Sequence, residues 1–170
     1  MIKILVMDVD GTLTDGKVYM GNTGELMKAF NIKDGYAIHD ILPLYEIIPI
    51  IITGRTSAIT ENRCKELGVT KIYQGINNKI EKLQQVLNEL GCSVQEVAYI
   101  GDDMNDYSCM SMIKDKGGVI GCPCDATDDV KKMADFVSKY SGGNGAVREM
   151  VEWLVSKEVN LKNGDGGENL

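Results

Sequence analysis

Two aspartates with one residue between them, Asp8 and Asp10, end the apolar run "ILVMDVDGTLTDG" at residues 4–16. An extended strand has a side-chain period of two, so this spacing sends both carboxylates to one side where the strand ends. Adjacent carboxylates raise each other's pKa unless a cation lies between them, so the pair asks for a metal ion or a positive group. The plainer alternative is that Asp-Gly-Thr closes a strand and opens a loop. Two more apolar runs end in polar residues: "IITGR" in Thr53, Gly54 and Arg55, and "VAYIGDDMND" in Asp102, Asp103 and Asp106. Lys79 falls at the start of a helical stretch, a poor place for a cation unless an anion lies close. Carboxylates converging on one edge need a hard cation, and oxygen-only donors favour magnesium. The Thr53 hydroxyl, the backbone N–H of Gly54 and the point charge of Lys79 suit phosphate oxygens. Together the set reads as magnesium-assisted phosphoryl transfer.

The elements that must position these residues follow from the apolar pattern. Buried-strand runs recur at 4–7, 47–52, 97–100 and 118–120, with a weaker one at 135–137, and helix-like stretches separate them. That alternation predicts an α/β fold with a doubly wound, mostly parallel sheet, whose ligands gather outside the carboxyl ends of the strands. Residues 57–67 read as a helix ending at Gly68, and 77–90 as a longer one with Ile80, Leu83, Val86, Leu87 and Leu90 on one stripe, stopped by Gly91. Residues 17–31 break the alternation, since two short strand candidates flank a Gly-Asn-Thr-Gly turn. They predict a small β-hairpin insert or, alternatively, a loop, able to cover a site or to pair with a neighbouring subunit. A single domain is expected over 1–156, followed by a flexible polar tail over 157–170.

Composition sets outer bounds. With 170 residues, 44% hydrophobic and 25% charged, the chain is globular and about the size of one domain. A net charge of −7 argues against a general nucleic-acid or anionic-membrane binder, so an anionic ligand must be captured locally. Five scattered cysteines without a Cys-x-x-Cys pair support neither a disulfide framework nor a zinc site and read as reduced thiols. Neither a leader pattern nor a membrane-length apolar run is apparent, so a cytoplasmic protein is expected. His39, the single histidine, reads as structural or surface; Cys122 and Cys124 read as buried thiols beside a Pro123 turn; "GGNGAV" lacks the Lys-Ser/Thr of a P-loop and reads as a hinge.

Asp-x-Asp-Gly-Thr, Thr-Gly, a lysine near a helix start and Gly-Asp-Asp-x-x-Asp, in that order, resemble the four motifs of the haloacid dehalogenase-like hydrolases. "DVDGTLTDG", "FNIKDGYAI", "IITGR", "NRCKELGV", "YQGINNK", "VAYIGDDMND" and "GGNGAVRE" resemble more narrowly the 3-deoxy-D-manno-octulosonate 8-phosphate phosphatase subfamily, which lacks a large cap domain. That resemblance implies a Rossmann-like core and a homotetramer whose hairpins gather on a central axis and help close neighbouring sites. It implies Asp8 as the nucleophile that becomes an aspartyl phosphate, and Asp10 as acid to the leaving alcohol and base to the hydrolytic water. Magnesium would be held by Asp8, the main-chain carbonyl of Asp10 and Asp102. Thr53, Gly54 and Lys79 would hold the phosphoryl group, Asp106 would orient Lys79 or a water on the metal, and Asp103 would support them.

The implied substrate is a small sugar-acid phosphate, whose carboxylate needs a further cation; Arg55, Arg63, Lys33 and Arg148 are candidates. Arginine directly after Thr-Gly resembles the octulosonate members, whereas relatives acting on 9-phosphorylated nonulosonates can carry an acidic residue there. A nonulosonate 9-phosphate phosphatase and a non-catalytic regulatory module remain the alternatives. Phosphomutases and phosphonatases of this superfamily generally carry a helical cap for which residues 11–35 leave no room.

Overall fold

The computed structural model describes residues 1–164. In chain order the elements are β1 (Ile4–Met7), β2 (Tyr19–Gly21), β3 (Gly24–Met27), α1 (Ile32–Tyr36), β4 (Ile48–Ile52), α2 (Ala58–Glu66), β5 (Lys71–Tyr73), α3 (Lys79–Leu90), β6 (Val97–Ile100), α4 (Met104–Asp115), β7 (Val119–Cys122), α5 (Asp128–Met133), β8 (Phe136–Val137) and α6 (Ala146–Gly164). Six strands form one sheet in the order β5-β4-β1-β6-β7-β8, parallel at every pairing. The doubly wound α/β expectation holds, and β2 and β3 form a separate antiparallel hairpin rather than a large cap.

Strand alternation sorts the core into two layers. Leu5, Met7, Ile51, Ala98 and Ile100 face α6 and the helical turn that follows α1, against Ala37, Ile38, Val147, Met150 and Val151. Ile4, Val6, Ile50, Ile52, Val97 and Tyr99 face α3 and α4, against Leu83, Val86, Leu87, Cys109, Met110 and Ile113. Each such side chain withdrawn from water contributes about 1.5–3 kcal/mol before chain entropy is counted. Continuing the period past Met7 carries Asp8 to the side of α3 and α4.

Local signals explain the helix starts that matter. Asn78 caps α3 by accepting from the Glu81 N–H, which leaves Lys79 as its first residue, and Asp103 caps α4 by accepting from the Met104 N–H at 2.7 Å. Buried Asp34, just after the hairpin, accepts from the N–H groups of Gly145 and Arg148 and so ties the start of α6 to α1.

Four expectations change. Strand β5 was not foreseen, because "KIY" is short and only half-buried at the sheet edge. Helix α6 runs on to Gly164, so residues 157–164 of the expected tail are helical, while 165–170 lie outside the described residues. Cys122 is buried but Cys124 is exposed. The glycine-rich stretch expected as a hinge is pinned instead: the Gly143 N–H donates to the Thr12 carbonyl at 3.0 Å, and the Gly142 N–H donates to Asp125 at 2.9 Å.

At Gly142 the approach is so close that a Cβ would lie 1.8 Å from the Gly11 carbonyl oxygen, beside Asp10. Gly142→Ala is therefore expected to cost about 1–3 kcal/mol by overpacking, or roughly 3–10 °C in thermal midpoint for a domain of this size. Gly21, whose backbone is not left-handed and where the nearest atom to an added Cβ is 3.5 Å away, is the control glycine. Circular dichroism melts of Gly142→Ala and Gly21→Ala compare the two, and an equal loss would contradict the close-approach account.

Candidate active site

Asp8 is the first residue after β1, its N–H held by the Ile100 carbonyl at 3.1 Å, and the residue is 2% exposed. Lys79 Nζ lies 2.7 Å from Asp8 Oδ1 and 2.6 Å from Asp106 Oδ1, with all three side chains buried. The cation that looked misplaced at a helix start is thus neutralised by a carboxylate on each side. Asp106, one turn into α4, also accepts from the Tyr99 hydroxyl at 2.6 Å and from the Asp102 N–H at 3.2 Å. Asp102 accepts from the Thr12 hydroxyl at 3.2 Å, and its own carbonyl accepts from the Thr127 N–H at 2.9 Å.

Carboxylate oxygens of Asp8, Asp102 and Asp106 all lie within 4.8 Å of one another. Burial, with Asp106 alongside, pushes the Asp8 carboxyl up to about 6 although Lys79 pulls it down. Burial and then the charges of Asp8 and Asp106 push Asp102 up to about 7. For Lys79, burial would lower the ammonium pKa, but the two aspartates outweigh it and hold the pKa above its ordinary value. The cluster therefore carries more negative charge than its lysine balances, and its donors are oxygens only, which fits a magnesium ion. Asp106 has its oxygens engaged by Lys79, Tyr99 and the Asp102 N–H, so Asp8 and Asp102 are the carboxylates better placed to hold one.

Asp10 departs from the expectation that it would share Asp8's side. Strand β1 ends at Met7, and the N–H groups of Thr12, Leu13 and Thr14 all donate to the Val9 carbonyl, so the chain coils directly after Asp8. The period of two lapses there. The Asp10 carboxylate turns to Lys28 Nζ on the hairpin side, and the carboxylates gathered beside Asp8 are those of Asp102 and Asp106. Any contribution of Asp10 to a metal would come through its main chain.

Thr53, directly after β4, is buried, its N–H donating to the Tyr73 carbonyl and its carbonyl accepting from the Ile76 N–H, each at 3.0 Å. Gly54 and Arg55 are exposed on the turn beyond it. Arg55 pairs with Glu25 at 3.2 Å. Asp103 is exposed and spends its carboxylate on the α4 cap. The structure does not bring Arg63 to this cluster: it pairs with Glu66 at 2.8 Å and lines a groove with Tyr36, His39 and Asp40. Lys33 and Arg148 line a separate cavity of about 290 Å³ with Tyr140 and Asn144. His39 is exposed next to Asp40, as a surface residue.

Sequence reasoning missed Tyr99, Thr12 and the hairpin residues Glu25 and Lys28. Tyr99 could have been found, since it is the one residue with a polar tip in the run 97–100 and lies two positions before Gly101. Lys28 carried no such signal; its burial arises only because the hairpin folds back over Asp10.

A family model of haloacid dehalogenase-like hydrolases matches residues 64–150. The 3-deoxy-D-manno-octulosonate 8-phosphate phosphatase of Escherichia coli K12 is 41% identical over 165 residues, 97% of this chain and 85% of its own. The chain belongs to the haloacid dehalogenase-like hydrolases. Within them, the phosphatase of the same name from Yersinia pestis has a crystal structure that is 39% identical, with a TM-score of 0.86 and coverage of 95% of this chain and 84% of that one. The Moraxella catarrhalis phosphatase, crystallised with magnesium, phosphate and KDO, is 34% identical with a TM-score of 0.86, covering 97% and 92%. These relatives place this haloacid dehalogenase-like hydrolase in the octulosonate phosphatase branch, and its single small hairpin agrees with that placement.

Two measurements test the electrostatics. Burial holds the folded carboxyls of Asp8 and Asp102 above their ordinary value of 3.8, so without a cation the fold binds more protons than the unfolded chain and loses stability as pH rises from that value up to about 6 to 7. A metal needs those protons gone, so the rise in thermal midpoint on adding magnesium is expected to be larger near pH ~8 than near pH ~5.5. The reverse order would refute the assignment. Tyr99→Phe, which strips a donor from buried Asp106, is expected to cost about 1–3 kcal/mol in urea unfolding.

Proposed function

We propose that this protein is a magnesium-dependent phosphatase that hydrolyses 3-deoxy-D-manno-octulosonate 8-phosphate through an aspartyl phosphate. The observation that carries the reading is buried Asp8 at the carboxyl end of the central strand, held by Lys79 and faced by Asp102. A relative 34% identical, described with magnesium, phosphate and KDO, supports the choice of metal and sugar.

The chemistry follows from the placement. Asp8 attacks phosphorus through a carboxylate oxygen while the ester oxygen leaves, and Asp10 supplies the proton that makes the departing group an alcohol. Asp10 then takes a proton from the water that attacks the acyl phosphate, which returns Asp8 and releases inorganic phosphate. Lys79, already poised against Asp8, exchanges part of that contact for phosphoryl oxygens, with Thr53 and Gly54 on the other side. Asp106 and Tyr99 keep the lysine aimed. Magnesium, held by the Asp8 and Asp102 carboxylates and the Asp10 main chain, would offset the charge between nucleophile and phosphate.

Arg55 is the substrate-reading cation in this proposal, because it alone among Arg55, Arg63, Lys33 and Arg148 contacts the residues around Asp10, through Glu25 and Lys28. It favours the octulosonate over a nonulosonate 9-phosphate. A homotetramer is also proposed, supported by Val18, Met20, Leu26 and Met27, which the hairpin leaves exposed. Among the described residues no helix is long and apolar enough to cross a membrane, and we propose a cytoplasmic enzyme.

The test is phosphate release with magnesium from 3-deoxy-D-manno-octulosonate 8-phosphate, N-acetylneuraminate 9-phosphate and p-nitrophenyl phosphate. The octulosonate ester is expected to have the highest kcat/KM, and Asp8→Asn to lose roughly a thousandfold or more on every substrate. A hundredfold preference for the nonulosonate would overturn the substrate, and metal-dependent turnover surviving in Asp8→Asn would overturn the covalent route.

A further inference from the structure

Where the hairpin meets the turn after β4, one carboxylate gathers three donors. Glu25 on β3 accepts from the Ser57 hydroxyl and pairs with Lys28 Nζ at 3.1 Å and Arg55 Nη2 at 3.2 Å. Lys28 has a side chain only 2% exposed, and its ammonium also reaches Asp10. A hydroxyl, an ammonium and a guanidinium on one carboxylate make up the donor set of a carboxylate receptor. Burial would raise the Glu25 carboxyl, but these partners hold it below its ordinary range, so the receptor is tuned to an ionised group.

Glu25 is not locked in a core. It stands on a two-stranded hairpin that shares no strand with the main sheet, and its neighbours Leu26 and Met27 are exposed. Ser57 and Arg55 belong instead to the turn between β4 and α2. The carboxylate can therefore leave Ser57 and Arg55 by rotating its own side chain, which opens no strand pairing and leaves Lys28, three residues further along the same segment, in place.

We propose that Glu25 fills, in the free enzyme, the position taken by the substrate's own carboxylate, and that Lys28, Arg55 and Ser57 form a carboxylate subsite entered by displacing it. The identity of the ligand, a sugar acid, rests on the function proposed above. Lys28 touches both Asp10 and Glu25, so the subsite begins beside the residue that protonates the leaving oxygen, and the sugar chain spans the two. Specificity arises by exchanging one carboxylate for another. A phosphate ester without an acid group gains nothing from displacing Glu25, whereas a sugar acid replaces its contacts one for one.

The experiment measures inhibition of p-nitrophenyl phosphate hydrolysis by free 3-deoxy-D-manno-octulosonate and by its carboxamide, in wild type, Glu25→Gln, Glu25→Asp and Arg55→Met. Glutamine keeps the shape but removes the competing charge, so the inhibition constant for the acid is expected to fall roughly fivefold while that for the carboxamide stays put. Aspartate, too short to reach all three donors, should give a smaller fall and guards against a folding defect in the glutamine variant. Arg55→Met should raise the constant for the acid alone. An unchanged or raised constant in both Glu25 variants, an equal shift for the carboxamide, or no inhibition of any protein by the acid overturns the subsite. Wild type that cleaves the aryl ester but not the octulosonate ester would overturn the substrate alone, since the inhibition comparison requires no turnover of the sugar.

Discussion

The contact on which the site depends is the buried ammonium of Lys79 between Asp8 and Asp106. An unpaired lysine in that position would face a desolvation cost of several kcal/mol, and an unpaired Asp8 a similar one. Each makes the other tolerable. Two facing helices and the central strand must therefore meet in one arrangement, with the end of β1 supplying Asp8, α3 the cation and α4 the second anion. Tyr99, on the neighbouring strand β6, closes the set through its hydroxyl. What stabilises this corner is also what leaves it short of positive charge, and that shortage makes it receptive to a metal.

The two acids of the first motif illustrate a division of labour enforced by backbone geometry. Asp8 remains in register with the sheet and joins the buried cluster. Asp10 lies beyond the strand end, in a coil whose N–H groups converge on the Val9 carbonyl, and it looks toward the hairpin and Lys28. These settings suit the roles proposed for the pair: a nucleophile benefits from a dry, rigid setting, while a proton carrier needs contact with the leaving group and with water. Two residues of chain separate those environments.

Much of this was legible in the residues alone. The apolar runs located β1, β4, β6 and β7 within a residue or two, and the polar residues after them named Asp8, Thr53, Asp102, Asp106 and Lys79, because a parallel sheet displays its strand ends along one edge. The hairpin was visible in its turn glycines. Illegible were features set by distant parts of the chain: strand β5, whose short edge run has little apolar signal; the turn of Asp10 away from Asp8; and the burial of Lys28, a side chain that in any local reading belongs in solvent. Arg63 had the right charge but lies on a helix face directed at α1, where it meets Glu66 rather than the cluster.

The glycine pair 142–143, packed on the backbone of Gly11 and Thr14, gives the protein a birth order. Strand β1 leaves the ribosome early, but it lies between β4 and β6, so it must wait for partners made much later. The loop carrying Asp10, already turned onto the Val9 carbonyl, gains the packing of Gly142 and Gly143 when those residues emerge, long after Asp8 has been synthesised. Such long-range closure makes folding slow and leaves an apolar strand unpaired in the meantime. A chain that stops before residue 142 carries Asp10 without the glycine pair that packs on its loop.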